Sequence, residues 1–315
     1  LRLSALMSLV GFGGFFLSTQ FGGLLAAMAL MAFFWSAALP LIEGLTFSHL
    51  GADTHRYGSI RVWGSCGFIV AVLGLGQALD SVPIEAVLWV TASILAGILA
   101  CSFTLPESAP PALERKPSSM LETLRRREVR ALLAACFLMS AAHGALYVFY
   151  SIYLVDKAYD KALVGWMWTL GVAAEILVFM LMPRLTRRFS LRAILIFSFV
   201  CAVLRFVLIG WGADSLAVLL FAQLLHGATF GAYHAAAIAV VNLWFPGRLQ
   251  SKGQALYGSL SFGAGGMLGG LLSGYTWDSL GPEWTFTLGS GFALAGLVCL
   301  MRGWPASAPA ETVNS

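Results

Sequence analysis

Residues 191–212 read LRAILIFSFVCAVLRFVLIGWG, an almost entirely apolar stretch. As an α-helix it rises about 1.5 Å per residue, so it is long enough to cross the roughly 30 Å hydrocarbon core of a membrane. It nevertheless carries Arg205 far from either end. A charge in hydrocarbon costs several kcal/mol and persists only where it is paired, hydrated or used. The stretch therefore predicts a membrane-spanning helix with a functional cation inside it.

The rest of the chain shares this apolar character. Of its 315 residues, 59% are hydrophobic and 11% are charged, and the mean hydropathy is +0.82. A soluble domain carries roughly 25% charged residues. We therefore expect the lipid bilayer to be a partner of this chain, and we expect no nucleic-acid partner. Six ionisable residues lie inside long apolar stretches and indicate a polar pathway through the membrane: Glu43, His143, Glu175, Arg205, His226 and His234.

Ten apolar segments predict an all-α membrane protein. A spanning helix needs about 20 residues, and most of the segments reach that length. The segments cover residues 3–18, 22–49, 59–79, 84–104, 131–154, 163–182, 191–212, 215–242, 254–275 and 284–301.

Charge placement predicts the orientation of these segments. If Leu1 lies on the inner side and the segments alternate, every Lys and Arg falls at an inner end or loop except Lys157, Lys161 and Arg205. Such asymmetry follows the positive-inside rule. It predicts that the long charged linker and the carboxy terminus lie inside.

The linker divides the chain into bundles. Residues 106–130 are rich in Pro and charge and predict a cytoplasmic linker. Before it, residues 1–105 predict a partial amino-terminal bundle of four helices. After it, residues 131–302 predict a six-helix carboxy-terminal bundle, and residues 303–315 predict a disordered tail.

A short internal repeat indicates a larger symmetric design. The pattern WGSxxF at 63–68 recurs as YGSxxF at 257–262, six segments later. Parallel repeats of six helices are one way in which a large transporter fold is built. Together with the linker, the repeat predicts six plus six helices, of which two would precede Leu1.

Several separate motifs carry a family resemblance. They are PLIE at 40–43, YGSIRVWGSCGF at 57–68, AAHGALY at 141–147, LGVAAE at 170–175, AVLR at 202–205 and LLHGATF at 224–230. With these motifs in this order, the chain resembles the major facilitator superfamily, and most closely the bacterial 3-phenylpropionic acid transporter family. The resemblance implies a two-bundle fold with ten of an expected twelve transmembrane helices. It also implies a bacterial inner-membrane monomer without a cofactor, coupled to H⁺.

Two departures from the superfamily pattern bear on function. The cytoplasmic loop signature appears here as PRLTRRFSLR at 183–192, with Arg187 where the superfamily has an acidic residue. Residues 59–79 contain no proline, whereas proton-driven exporters carry a proline-bearing glycine motif in the corresponding helix. The second departure favours uptake over export.

Arg205 is expected to meet an anion. It lies about 21 Å from the inner end of its segment, near the bilayer midplane where such transporters bind substrate. A guanidinium keeps its charge and binds carboxylates through two hydrogen bonds. Two interpretations stay open. Either Arg205 binds a substrate carboxylate in one state and Glu175 in another, or it forms a permanent structural pair with Glu175.

Glu175 is the predicted proton carrier. Burial favours the neutral carboxyl, whereas a neighbouring Arg favours the carboxylate. A substrate bound to Arg205 would cancel the effect of that Arg, so substrate binding would favour protonation. The alternative is a carboxyl group that packs between helices and stays hydrogen-bonded throughout.

Two helix faces combine histidine with aromatic rings and predict the rest of the substrate site. They contain His143, Tyr147 and Tyr150, and His226, Phe230 and Tyr233. Such a surface suits an aromatic ring with a polar group, and His226 is also assigned to proton coupling. The alternative for either histidine is ordinary helix packing around a neutral ring.

Two further sets of residues complete the predicted sites. Glu43 and Arg61 lie in the inner third of adjacent segments and predict a gating or structural pair. His143, His226 and His234 could together form a zinc site if their side chains met. On an ideal helix His234 lies about 80° from His226, so we expect no metal.

These observations predict a secondary active transporter, not an enzyme. The preferred function is proton-coupled uptake of a small aromatic carboxylic acid by alternating access. The alternative is a sugar or nucleoside symporter, or a drug exporter, of the same superfamily. A membrane enzyme or sensor is remote, because the chain contains no H-E-x-x-H, G-x-S-x-G or C-x-x-C motif.

Overall fold

The computed structural model describes residues 1–50, 57–79, 81–106 and 119–305, which form helices without a β-strand. In chain order these are α1 (Arg2–Gly13), α2 (Phe21–Leu50), α3 (Tyr57–Ala78), α4 (Ala86–Thr104), α5 (Met120–Arg125), α6 (Arg127–Ala142), α7 (Gly144–Asp156), α8 (Lys161–Arg188), α9 (Leu191–Gly212), α10 (Leu216–Leu224), α11 (Tyr233–Trp244), α12 (Gln250–Gly258), α13 (Gly266–Leu280) and α14 (Pro282–Gly303). Two π-helical segments, π1 (Gly227–Ala232) and π2 (Ser259–Gly265), precede α11 and α13.

This architecture confirms the predicted all-α membrane fold. Eight helical stretches are long and apolar enough to cross a membrane. Two shorter apolar helices, Arg2–Phe16 and Val62–Ala78, bring the total to ten in the described ranges. Each of the ten falls on one predicted segment, because hydrophobic length alone identifies a spanning helix.

Three of the predicted segments are not straight α-helices. The segment at 131–154 is interrupted at His143, which has φ −81° and ψ −5° and separates α6 from α7. The segments at 215–242 and 254–275 contain π1 and π2. The length of an apolar segment does not predict a break or a π-helical turn inside its helix. π-Helical turns often occur at functional sites.

Contacts between residues divide the chain into two compact units. The first comprises Leu1–Tyr57 and Gly74–Ala112. In it, α1 packs against α2 and α4. The Ser4 hydroxyl donates to the Phe34 carbonyl at 2.5 Å. A Cβ at Gly11 would lie 2.6 Å from the Met31 backbone nitrogen, so this crossing depends on glycine.

The second unit comprises Gly58–Leu73 and Leu113–Ser315. Its described linker portion begins at Ser119, whose hydroxyl accepts a hydrogen bond from the backbone N–H of Glu122 at the start of α5. The S-x-x-E spacing is typical of this cap. Residues 107–118 of the predicted linker and residues 306–315 of the predicted tail lie outside the described residues.

Helix α14 of the second unit packs against α6 and α9. Lipid tails are as apolar as leucine, so helix association in a membrane depends on close packing and small residues. Gly289 of α14 meets the Ala142 carbonyl, and Gly296 meets the Phe199 ring. Large side chains that are fully buried in this unit include Leu146, Phe199, Phe206 and Phe286.

Glycines also join α6 and α7 to the π2–α13 stretch. Gly144 contacts the backbone of Gly269, and Gly269 in turn contacts the Ala141 carbonyl. Gly265 contacts the Phe137 carbonyl in the same way. The break at His143 therefore lies at a close crossing of two helices.

We expect Gly269→Ala to lower the thermal stability of the protein in detergent. The new Cβ would collide with the Ala141 backbone, and overpacking of this kind costs about 1–3 kcal/mol. The matched control is Gly274→Ala on the same helix, where no atom lies within 4 Å of the added Cβ. Equal unfolding temperatures for the two variants would contradict this packing argument.

The two ends of the second unit carry different chemistry. At one end Lys157 donates to Asp214 at 2.9 Å and lies 4.0 Å from Glu283. All three residues belong to loops or helix ends predicted to lie outside. At the other end Arg192 donates to the Trp304 carbonyl at 2.6 Å, and Trp304 packs against Trp244. At each end of the unit, the residues in contact therefore come from segment ends that the charge pattern predicts to lie on the same side of the membrane.

Candidate functional site

Arg205 is buried in the second half of α9, with 1% of its surface exposed. Its Nε donates to the carbonyl of Ala222 at 2.9 Å. Nη2 donates to Gln223 Oε1 at 2.7 Å, and Nη1 donates to Thr229 Oγ1 at 3.2 Å. All three acceptors are neutral. Within the described residues, no carboxylate lies within the 4.0 Å ion-pair distance of Arg205, so the permanent pair with Glu175 is not formed.

The hydrogen bonds of Arg205 leave part of its capacity unused. A guanidinium has five N–H donors, and the three bonds above engage three of them, which leaves two. Removing a cation from water is costly unless an anion compensates it. Two N–H groups of Arg205 are therefore left for a further acceptor.

Gln223 and Thr229 hold the guanidinium in place, and sequence reasoning did not single them out. The Gln223 amide donates through Nε2 to the Met167 carbonyl at 3.0 Å, so its oxygen faces Arg205. This amide thus links α8, α9 and α10. Gln223 is a polar residue in an apolar segment, and this feature of the sequence could have indicated it, but the predicted polar pathway consists of ionisable residues alone.

Glu175 lies beside His226 instead of Arg205. Their Oε2 and Nε2 atoms are 3.8 Å apart, and both side chains are buried. Glycine permits this approach of α8 to π1, since a Cβ at Gly227 would lie 2.7 Å from the Ala174 carbonyl oxygen. The structure thus brings together the two residues that the sequence assigns to proton coupling.

Three rings stack in a row at the π1 segment and the start of α11. His226 stacks on Phe230 with ring centres 5.5 Å apart, and Phe230 stacks on His234 at 5.7 Å. The expected angle of about 80° assumes a regular α-helix, whereas a π-helical turn holds more residues than an α-helical turn. Phe230 lies between the histidines. The described residues contain no cluster of His, Cys, Asp and Glu that could hold a metal.

A cavity of about 190 Å³ opens between α6–α7, π1 and π2–α13. Four predicted substrate residues line it: His143, Tyr147, Phe230 and Tyr233. Thr229 also lines it, so the wall of the cavity includes a direct partner of Arg205.

The other predicted site residues lie behind this wall. Tyr150 is fully buried and packs edge-on against Trp168. Arg205 itself is not among the lining residues and reaches the wall through its hydrogen bond to Thr229. The predicted substrate and proton-coupling residues therefore occupy one neighbourhood within the second unit.

The family of the chain follows from comparison with known proteins. A family model described as MFS_1 like family matches residues 1–288. The chain belongs to the major facilitator superfamily. The probable 3-phenylpropionic acid transporter of Escherichia coli (strain K12) is 30% identical over 285 residues, which cover 89% of this chain and 74% of that protein.

Other proteins similar to this major facilitator chain are described as nucleoside transporters. The putative nucleoside transporter YegT of Escherichia coli (strain K12) is 26% identical over 283 residues, covering 83% of this chain and 65% of that protein. A solved variant of the nucleoside transporter NupG superposes with a TM-score of 0.76 over 96% of this chain and 82% of that chain. At 16% identity this likeness shows a shared fold alone.

These findings place the major facilitator chain among integral membrane transporters, not enzymes. The predicted pair of Glu43 and Arg61 stays a prediction. Glu43 is buried in α2, with 9% of its surface exposed. The side chain of Arg61 lies outside the described residues.

Proposed function

We propose that this chain belongs to a secondary transporter that takes up a small aromatic carboxylic acid together with a proton by alternating access. The observation that carries the proposal is Arg205, a buried cation whose hydrogen bonds all go to neutral acceptors. A carboxylate that engages the two remaining N–H groups would supply the missing negative charge.

Aromatic side chains beside Arg205 support an aromatic substrate. Tyr147 stacks on His143 at 5.8 Å and on Trp168 at 6.4 Å, and both Tyr147 and His143 line the cavity. Phe230 and Tyr233 line the cavity from π1 and α11. Rings favour offset-stacked or edge-on contact with other rings, which suits an aryl group. The likeness to a probable 3-phenylpropionic acid transporter supports the same substrate class.

The Glu175–His226 pair supports proton coupling. A carboxyl and an imidazole 3.8 Å apart in a buried site can hold one proton between them. When an anion binds near Arg205, the local positive potential falls, and a proton on this pair becomes more favourable. Substrate and proton would then cross together, in a monomer of the bacterial inner membrane whose linker and carboxy terminus lie inside.

A nucleoside transporter is the second candidate. It is supported by the relative YegT, a putative nucleoside transporter. In that case the bonds from Arg205 to Gln223 and Thr229 would be permanent, and the substrate would need no charge.

Competition between matched ligands separates the two candidates. In proteoliposomes of the full-length protein, uptake of a labelled 3-arylpropionate should be inhibited by unlabelled arylpropionates. The corresponding primary amides should inhibit at least about tenfold less, since hydrogen bonds to charged groups contribute roughly 1.5–3 kcal/mol. Equal inhibition by acid and amide, or stronger inhibition by nucleosides, would contradict the carboxylate proposal.

A further inference from the structure

His143 uses one ring nitrogen and leaves the other without a hydrogen bond. Its Nδ1 lies 2.9 Å from the Met139 carbonyl oxygen. A carbonyl can only accept, so Nδ1 carries the hydrogen, and Nε2 of the neutral ring is then an acceptor. Nε2 is buried and has no partner in the part of the chain that the structure describes. Unsatisfied buried acceptors are rare because they are costly.

The chain fixes the orientation of this imidazole. The ring stacks on Tyr147 at 5.8 Å and packs edge-on against Phe206 at 5.0 Å. The bond from Nδ1 to Met139 sets the rotation within the ring plane. Nε2 is the ring nitrogen farther from the backbone, and His143 lines the cavity where the chain turns between α6 and α7.

A substrate carboxylate cannot satisfy this acceptor. An ionised carboxylate offers only acceptor oxygens, which match Arg205. The acceptor on His143 is therefore left over after the carboxylate has been bound, and it calls for a donor elsewhere on the substrate.

We propose that Nε2 of His143 accepts a hydrogen bond from a hydroxyl or N–H group of the substrate. The preferred substrate is then an aromatic acid with a second polar group that can donate a hydrogen bond, such as a ring hydroxyl. This inference rests on the proposed function, because it takes Arg205 as the site of the carboxylate.

Three ligands that differ at one ring position test the inference. They are an unsubstituted 3-arylpropionate, its ring-hydroxylated form and the corresponding methoxy form, which can accept but not donate. Binding to the purified full-length protein is measured with each positional isomer. The best hydroxylated isomer should bind about tenfold more tightly than the unsubstituted acid, and the methoxy acids should not. Hydroxy and methoxy acids that bind no better than the unsubstituted acid would overturn the inference.

Variants of His143 assign the preference to this side chain. In His143→Phe the ring contacts can persist but the acceptor is lost, so the affinity ratio of hydroxylated to unsubstituted acid should fall to about one. His143→Gln keeps an acceptor oxygen and should restore part of the ratio. A ratio unchanged in both variants would overturn the inference while leaving the carboxylate proposal intact. If no arylpropionate binds the wild-type protein, both proposals fail.

Discussion

Replacing Arg205 with glutamine is expected to abolish uptake of aromatic carboxylates. The substitution removes the buried cation that we propose binds the carboxylate, and losing one partner of a buried charge pair costs about 2–5 kcal/mol. The apparent affinity should fall by about 30-fold or more. The measurement is initial uptake of a labelled arylpropionate in proteoliposomes, with the protein amount matched and protein-free liposomes subtracted for passive entry of the acid.

Two controls separate substrate binding from folding. Arg205→Lys keeps the positive charge but loses the planar guanidinium that binds a carboxylate through two hydrogen bonds, so it should retain a small part of the activity. Arg188→Gln makes the same chemical change at an exposed position near the end of α8 and should transport normally. Because Arg205 donates to three buried acceptors, the unfolding temperature of each variant in detergent is measured beside its uptake. Uptake by Arg205→Gln at the wild-type rate would contradict the carboxylate role.

Replacing Glu175 with glutamine is expected to uncouple uptake from the proton gradient. One pH unit corresponds to about 1.4 kcal/mol per proton, so it supports about tenfold accumulation of a co-transported substrate. The amide keeps the shape of the carboxyl but cannot carry the proton with His226. Accumulation driven by an inward proton gradient should therefore fall to the level of passive equilibration, whereas exchange of internal for external substrate should continue.

Glu283→Gln is the matched control for this uncoupling. Glu283 begins α14 near Lys157, at the end of the second unit away from Trp304, and it should not take part in coupling. A pH-sensitive dye inside the liposomes should report acidification during uptake by the wild type and by this control, but not by Glu175→Gln. Gradient-driven accumulation by Glu175→Gln at the wild-type level would assign the proton to another group.

The sequence predicts the fold well because a bilayer imposes strict demands on composition and length. An apolar stretch such as 191–212 must be a spanning helix, since the backbone can satisfy its hydrogen bonds there only within a helix. For the same reason a charge inside such a stretch is visible without any structure. Arg205, Glu175 and His226 were found in this way, and the structure places them in one buried region.

The partners of these charges could not be read from the sequence. Pairing Arg205 with Glu175 assumed that opposite charges on adjacent segments meet, but the structure inserts Gln223 and Thr229 as neutral acceptors. His226 and His234 both stack on Phe230 around π1, and periodicity arguments, which assume regular helices, do not predict a π-helical segment. The free nitrogen of His143 becomes apparent only when the Met139 carbonyl is seen beside Nδ1.

A structure of the full-length protein with a bound arylpropionate tests directly whether Arg205 binds the substrate carboxylate. Our account predicts that a carboxylate oxygen of the ligand lies about 3 Å from Nη1 or Nη2 of Arg205, with the ring beside Tyr147 and Phe230. A ligand bound elsewhere, with its carboxylate away from Arg205 and the bonds to Gln223 and Thr229 unchanged, would contradict it.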